Sequence, residues 1–418
     1  MKNILFIILL FSNLVYADAR KIDDYHWQGV ERIVAVGDIH GDYGNYIKVL
    51  RAAGLVDKKG KWSGGKTHLV QTGDIPDRGP DTVKIIEHIT KLAKQANKKG
   101  GYVHSLIGNH EAMNMYGDLR YTHPGEYEAF VSKKSKSLRD RYFQIYMQNM
   151  QEQDPTAYAA LPENYRDEWN GKFPLGWIEH RQAWDPAWNP EGKYAKWTLD
   201  RKVAIKVNDT IFLHGGISAY YCQNSLESMT QKARASLSNF DPNNSGIVED
   251  DNGPFWYRGL SGVEPHALVE TVDAILQQHD ARHIVVGHTP TSGVIWPRYD
   301  AKVVMIDTGI SAAYGGHLGY LEIVPEGLFA GYPGGKLPLP VDEAGLVPYL
   351  EKVIQADPGN PYLQKRLQRL LNPPVIEAIQ NADGSDSTAA SNGDAGTSPE
   401  SQADQAETDP PVICGISR

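Results

Sequence analysis

Short apolar, β-branched runs recur along the chain, and five of them stop in the same way. Ile33 to Val36 runs into Gly37-Asp38-Ile39-His40-Gly41, and His68 to Thr72 into Gly73-Asp74-Ile75-Pro76-Asp77-Arg78-Gly79. Tyr102 to Ile107 leads to Gly108-Asn109-His110-Glu111, Thr210 to Leu213 to His214-Gly215-Gly216, and His283 to Val286 to Gly287-His288-Thr289-Pro290. The pattern predicts five buried strands, each closed by a glycine-bearing turn with Asp, Asn or His at its tip. In open α/β sheets, ligands bind beyond the carboxyl ends of strands. One Asp-x-His turn would read as a solvated loop beside a structural histidine; five such turns in one chain predict a site.

Helical periodicity fills the gaps. Tyr46, Ile47, Val49 and Leu50 make an apolar face over Asp42 to Arg51. After Pro80-Asp81, Val83, Ile85, Ile86, Ile89, Leu92 and Ala93 recur at helical spacing, and Lys98-Lys99-Gly100-Gly101 closes the helix. Strand, helix, strand, helix, strand predicts parallel pairing with right-handed crossovers. Asn208-Asp209 between Val203–Val207 and Thr210–Leu213 reads as a hairpin, where an antiparallel sheet is expected to begin. Leu268 to His279 and Val341 to Leu371 are helical in pattern, the latter broken near Asp357-Pro358-Gly359 and expected on the outside. Two further strands are expected around Lys302 to Ile306 and Leu318 to Val324.

Two segments break the pattern. Within an insertion from about residue 112 to 200, Ser132 to Gln153 is charged and helical in pattern, and Pro155 to Trp197 carries Trp169, Trp177, Trp184, Trp188 and Trp197 among Pro, Asn and Gly, which predicts an irregular but packed cap placed where a substrate-selecting lid would sit. Residues 381–418 hold seven acids against Arg418, with no aromatic residue, and read as a disordered acidic tail. At the other end, Lys2 and the apolar run Ile4 to Leu10, followed by Ala17 and Ala19, have the form of a signal peptide, residues 1–19. The expected product is exported, periplasmic or secreted, without stable membrane insertion. The net charge of −9 resides largely in the tail, which argues against a nucleic-acid partner. Cys222 and Cys414 are too few for a disulfide scaffold; they either bridge, tying the tail down, or remain free thiols.

The tips then define a chemistry. Asp, Asn and His without thiolate suit a divalent ion such as Mn, Fe or Zn, and there are enough ligands for two. Asp38 and His40 would serve one ion, Asn109, His214 and His288 the other, with Asp74 bridging. Two cations acidify a shared water enough to give hydroxide near neutral pH for in-line attack on phosphorus. Arg78 and Arg258 offer planar donors for phosphate oxygens. His110 can protonate the leaving oxygen, with Asp77 or Glu111 holding its tautomer. Asp307 reads either as a partner for a ligand histidine or as a turn former. His68, His104 and His283 are expected to pack or face solvent.

Gly-Asp-Ile-His-Gly, Gly-Asp-Ile-Pro-Asp-Arg-Gly, Gly-Asn-His-Glu, His-Gly-Gly and Gly-His-Thr-Pro resemble, in order and spacing, the motifs of the calcineurin-like metallophosphoesterases, phosphoprotein phosphatase branch. Gly192-Lys-Tyr-Ala-Lys-Trp197 and Gly253-Pro-Phe-Trp-Tyr-Arg-Gly259 look like the Shewanella-like protein phosphatase subgroup. The resemblance implies a four-layer α/β (α+β) fold, a central β-sandwich flanked by helices. The resemblance covers about Arg32 to Val324; the catalytic domain is expected over residues 20–340, and the helical extension, 341–380, lies outside the resemblance. The resemblance also implies two metal ions on Asp38, His40, Asp74, Asn109, His214 and His288, a His110–Asp77 acid dyad and phosphate-binding Arg78; Arg258 is a looser match because its flanking residues differ. The expected activity is a metal-dependent phosphoester hydrolase acting on phosphorylated protein or peptide, with phosphotyrosine favoured. Alternatives on the same site are a dinucleoside polyphosphate hydrolase or a general phosphomonoesterase. A catalytically silent metal-binding module is the reading from a different class.

Overall fold

The computed structural model describes residues 19–262, 265–372 and 414. The expected leader through Asp18 and the acidic tail other than Cys414 lie outside these residues. The strands are β1 (Arg20–Lys21), β2 (His26–Gln28), β3 (Ile33–Val36), β4 (His68–Gln71), β5 (Tyr102–Ser105), β6 (Ala204–Val207) and β7 (Thr210–Leu213). They continue with β8 (His283–Val286), β9 (Trp296–Arg298), β10 (Val303–Met305), β11 (Tyr320–Val324), β12 (Gly327–Tyr332) and β13 (Gly335–Pro338).

Two mixed sheets result. One runs β13-β12-β11-β3-β4-β5, the other β1-β2-β6-β7-β8-β10-β9. In the first, β3, β4 and β5 pair in parallel, Ile33 opposite His68 and Leu69 opposite Val103. They are buried on nearly every residue, as strands covered on both faces must be. In the second, β6 and β7 form the expected hairpin around Asn208, whose φ is +55°. The antiparallel sheet expected from there does not continue. β8 returns from a helical crossover and so lies parallel to β7, and β10 lies parallel to β8. Val34 and Leu69 from one sheet, and Phe212 and Val285 from the other, belong to one continuous apolar core.

Helices α1 (Tyr43–Ala52) and α2 (Thr82–Asn97) are the two crossovers that keep β3, β4 and β5 parallel. Asp42 caps α1 by accepting from Asn45 N at 2.9 Å, and Tyr46, Ile47, Val49 and Leu50 are its buried face, as their spacing predicts. The helix expected over Ser132 to Gln153 is present, but the Trp-rich part from Pro155 to Trp197 departs from expectation: it too is helical rather than irregular. The cap contains α3 (Asn109–Tyr116), α4 (Pro124–Glu128), α5 (Ser135–Gln153), α6 (Pro155–Ala159), α7 (Tyr165–Lys172), α8 (Trp177–Trp184) and α9 (Lys193–Leu199). Two of its prolines start helices instead of breaking them. Pro124 follows the N-cap His123, and Pro155 follows the N-cap Asp154. Trp169, Phe173 and Trp177 repeat every four residues and stack in series, with centroids 4.6 and 4.8 Å apart.

Helices α10 (Leu226–Ser238), α11 (Gly259–Gly262) and α12 (Val269–Gln278) accompany the second sheet. The C-terminal pair α13 (Leu346–Ala356) and α14 (Pro361–Leu371) breaks where the sequence does, with Asn360 capping α14. Cys414 is bonded to Cys222 across 192 residues of sequence, with Cα atoms 6.1 Å apart, so of the two cysteine readings the bridge is the one found. No helix among the described residues is long and apolar enough to cross a membrane.

Candidate metal centre

The five turns meet at the carboxyl ends of β3, β4, β5, β7 and β8, and glycine is what lets them touch. A Cβ on Gly41 would lie 2.3 Å from Gly79 O, and one on Gly73 would lie 2.5 Å from Gly108 N. No side chain fits between backbones at that separation. Backbone bonds then lock the turns together: Gly41 N donates to Ile75 O at 2.8 Å, and Gly287 N to His214 O at 2.8 Å. Five non-glycine residues of these turns stand at positive φ: His40 at 45°, Asp74 at 59°, Asp77 at 71°, Arg78 at 65° and His288 at 62°. Such backbone persists only where its surroundings over-determine it, and it gathers here at the ligand tips.

Each of three histidines has one ring nitrogen occupied from behind. His40 Nδ1 donates to Pro76 O at 3.1 Å, His214 Nδ1 to Thr72 O at 3.1 Å, and His110 Nδ1 to Asp77 Oδ2 at 2.6 Å. That fixes the tautomer and leaves Nε2 turned inward. His40, His110 and His214 Nε2 stand 3.8, 3.8 and 3.3 Å from Asp74 Oδ2. His214 Nε2 also faces Asn109 Oδ1 at 2.8 Å and His288 Nδ1 at 3.1 Å. A lone pair facing a carbonyl oxygen and a carboxylate is repulsive unless a cation lies between them. The donors fall into two groups that share Asp74: His40, Asp74 and His110; and Asp74, His214 and His288.

The carboxylates point the same way. Asp38 lies 3.9 Å from both His40 Nε2 and His214 Nδ1, and its oxygens also accept from His288 N at 3.2 Å. Burial, then Asp307 and Asp74 nearby, push the Asp38 carboxyl well above the usual range. Burial pushes Asp307 to about 6, and its side chain is hydrogen-bonded to Asp38. Asp307 thus partners a ligand carboxylate rather than a ligand histidine. Among the described residues these acids form no ion pair with a lysine or arginine, and a buried group of this kind fits a divalent cation of the borderline sort.

All six expected ligands converge here, and the acid dyad is in place. Burial pulls His110 down, but Asp74, Asp77 and Glu111 outweigh it and its pKa ends above that of ordinary histidine. Glu111 does not hold the His110 tautomer, which is a correction. Its carboxylate accepts from Asp74 N, Ile75 N and Gly108 N at 2.9, 2.8 and 2.8 Å, tying the second turn to the third. Arg78 lies flat on Tyr121, 3.9 Å from the ring centroid, with Tyr314 at 5.8 Å. Arg258 Nη1 donates to His288 O at 2.9 Å and Thr289 Oγ1 at 3.0 Å, so it is anchored on the fifth turn. His68 and His104 pack, buried, with His104 Nε2 3.0 Å from His68 Nδ1.

The sequence missed the residues that hold Asp77. Glu126 of α4 accepts from Asp77 N at 2.7 Å; Thr122 Oγ1 and Asn114 Nδ2 donate to Asp77 Oδ1 at 3.1 and 3.2 Å. They come from the cap, where no periodicity marks them.

Comparison with known proteins agrees with this geometry. The family model described as calcineurin-like phosphoesterase matches residues 31–292. An uncharacterized protein of Schizosaccharomyces pombe is 32% identical over 70% of this chain and 76% of its own. Shewanella-like protein phosphatase 2 of Arabidopsis thaliana is 29% identical over 67% and 72%. Among solved structures, the cold-active protein-tyrosine phosphatase of a psychrophilic Shewanella is similar, with a TM-score of 0.55 and 27% identity over 76% of this chain and 83% of that one.

Proposed function

The chain belongs to the calcineurin-like phosphoesterase family, and on that premise we propose that it is a phosphoprotein phosphatase with a two-ion centre bridged by Asp74. It is a metal-dependent hydrolase of phosphoesters, related to Shewanella-like protein phosphatases. One observation carries the two-ion reading: two donor groups share one buried carboxylate. Asp38, His40 and Asp74 would hold one ion, and Asp74, Asn109, His214 and His288 the other. When bound, ions of this kind neutralise phosphate charge and acidify water near neutral pH.

The chain's own residues supply the rest. Arg78, stiffened on Tyr121, and Arg258, anchored on the His288 turn, present planar donors to phosphate oxygens. The Asp77 carboxylate keeps the His110 Nδ1 proton, so the proton given to the leaving oxygen comes from Nε2. Phosphotyrosine preference is supported by the aromatic walls at Tyr121 and Tyr314, and by the similar structure being a protein-tyrosine phosphatase. An exported address is supported by the Cys222–Cys414 bridge, since such bonds persist in oxidising compartments.

The test is hydrolysis of para-nitrophenyl phosphate by metal-stripped protein reloaded with Mn²⁺, beside Asp74→Asn. Phosphotyrosine peptide, phosphoserine peptide and dinucleoside tetraphosphate are then compared. Activity restored by metal and lost in the variant supports the reading. Hydrolysis of the dinucleotide alone would replace the phosphoprotein assignment, and metal binding without turnover of anything would leave a silent module.

A further inference from the structure

β9, α13 and α14, which follow the residues matched by the family model, line a cleft of about 910 Å³ together with Gly262, Thr291 and Ser292 from within the match. Tyr362, Lys365, Arg366 and Arg369 all line it from α14. Lys365 and Arg369 are four residues apart, and Arg366 and Arg369 three, so one helix face carries three cations in mutually repulsive positions. Among the described residues none of these three forms an ion pair; the acids that also line the cleft, Asp300, Asp342 and Glu343, do not reach them. Asp342 instead caps its own turn, accepting from Gly345 N at 2.9 Å. Arg366 is packed over Trp296, 4.6 Å from the ring centroid. Burial, with Arg369 and Arg298 adding to it, brings this guanidinium down to about 10. A folded protein that gathers three cations on one helix face against an aromatic wall, out of ion-pair reach of the acids that share the cleft, is built to receive acids from elsewhere.

The position of the cleft says where they come from. Its wall includes Thr291 and Ser292, three and four residues past the ligand His288, and Gly262, four residues past Arg258. Three residues of extended chain span at most about 11 Å, so the cleft opens beside the metal centre. Arg366 Nη2 touches the centre's frame directly, donating to Thr291 O at 3.4 Å, and Thr291 N in turn donates to Asp307 O at 2.8 Å.

We propose that this cleft is a docking subsite for the acidic side chains of a substrate polypeptide that flank its phosphorylated residue. The proposal rests on the phosphoprotein reading above. Charge complementarity and continuity with the phosphate site select this occupant: a peptide held by its phosphate at Arg78 and Arg258 carries its neighbouring residues past Gly262 and Thr291. The aromatic faces of Trp296 and Tyr362 take the apolar parts of that segment.

The experiment compares three substrates on the full metal-loaded chain: para-nitrophenyl phosphate, a phosphotyrosine peptide flanked by glutamates, and the same peptide flanked by glutamines. Two variants are used, Lys365→Glu combined with Arg369→Glu, and Lys365→Gln combined with Arg369→Gln, all on the exposed helix face. The expected result is a KM rise of about tenfold for the glutamate peptide, with the glutamine peptide and the aryl phosphate within about twofold. The wild-type preference for the glutamate peptide should also shrink as salt is raised. Equal changes for both peptides, or an undiminished preference in both variants, would overturn the subsite. Failure of the wild-type protein to hydrolyse either peptide while it hydrolyses the aryl phosphate would instead overturn the phosphoprotein reading on which it rests.

Discussion

Glu126 accepts a hydrogen bond from Asp77 N at 2.7 Å, so a cap residue holds the turn that carries the dyad acid. Arg78 N donates to Tyr121 O at 3.0 Å in the same segment, so Arg78, proposed to bind phosphate, and the proposed His110–Asp77 dyad share one support. Glu126 is almost wholly buried, and burial, then the Asp77 carboxylate beside it, push its pKa well above the usual range. Burial and the neighbouring Asp77 charge thus favour its protonated form. Glu126→Gln should therefore keep near wild-type kcat, because the amide oxygen still accepts from Asp77 N. Glu126→Ala should lower kcat by roughly 10- to 100-fold, with KM for para-nitrophenyl phosphate and metal content per chain unchanged. Equal losses in both variants would show that the charge, not the position, matters.

The His110–Asp77 pair predicts a dependence on the leaving group. A para-nitrophenolate leaves readily without a proton, whereas a serine alkoxide does not. His110→Asn and Asp77→Asn should lower kcat on a phosphoserine peptide by roughly 10²-fold or more, and on para-nitrophenyl phosphate much less. Steady-state rates over a series of aryl phosphates check this: the dependence on leaving-group pKa should steepen in the variants. An unchanged slope would remove His110 from the acid role.

The parts of this fold legible in the sequence are those where one local rule decides. The five site strands were visible because a buried parallel strand cannot hide its apolar run and a ligand turn cannot dispense with glycine. The ligands followed because their residue types sit at the strand ends. What stayed hidden depends on contacts remote in sequence. Glu126 reaches Asp77 over 49 positions, Glu111 turns from the histidine beside it to three amides, and Asp307, after β10 of one sheet, meets Asp38, after β3 of the other. In the Trp-rich part of the cap the helices stay hidden because proline and glycine mark a helix start and a loop alike until a capping side chain is seen.

The contact between the first two ligand turns makes Gly41 a sensitive position. Its φ is +62°, and a Cβ there would stand 2.3 Å from Gly79 O, so neither backbone can yield without displacing His40 or the Arg78 turn. Gly41→Ala should destabilise the protein by about 2–4 kcal/mol and weaken metal binding as well. Gly54→Ala is the control: it has a similar φ of +69° but nothing within 4 Å. Denaturant unfolding of both, with metal titration, separates the clash from the cost of positive φ.

The Cys222–Cys414 bond closes a chain of 192 residues. On the chain-entropy model a loop of that size restrains the unfolded state by about 5 kcal/mol, an upper bound when part of the loop is tail. The oxidised protein should show no thiol reactive to alkylation even after denaturation. Reduction, or Cys414→Ser, should lower Tm while leaving metal content unchanged. Two alkylatable thiols in protein prepared without reductant would refute the bond.

His180 gives the cap a dependence on acid. The ring is fully buried against Tyr127 and Phe130, with centroids 5.3 and 5.1 Å away, and neither ring nitrogen has a hydrogen-bond partner among the described residues. Burial lowers its pKa to about 3, and the nearby Asp77 charge does not offset this. The unfolded chain takes up this proton near the ordinary histidine pKa of about 6.5, the folded chain only near 3. Between those values the unfolded state binds more protons, so stability is fully present above about pH 6.5 and falls as pH drops through the window. His180→Leu should remove about 2 kcal/mol of the loss between pH 6.5 and 5, measured by denaturant unfolding of the metal-loaded protein. Glu322 acts in a separate window. Burial raises its pKa, but Arg32, at 3.2 Å, and Lys336, at 2.9 Å, outweigh burial and hold it below the usual glutamate range. Its contribution is therefore lost only at still lower pH, and Glu322→Gln should leave the slope between pH 6.5 and 5 unchanged. If His180→Leu leaves that slope unchanged too, the ring is protonated in the folded cap, and the burial argument for His180 fails.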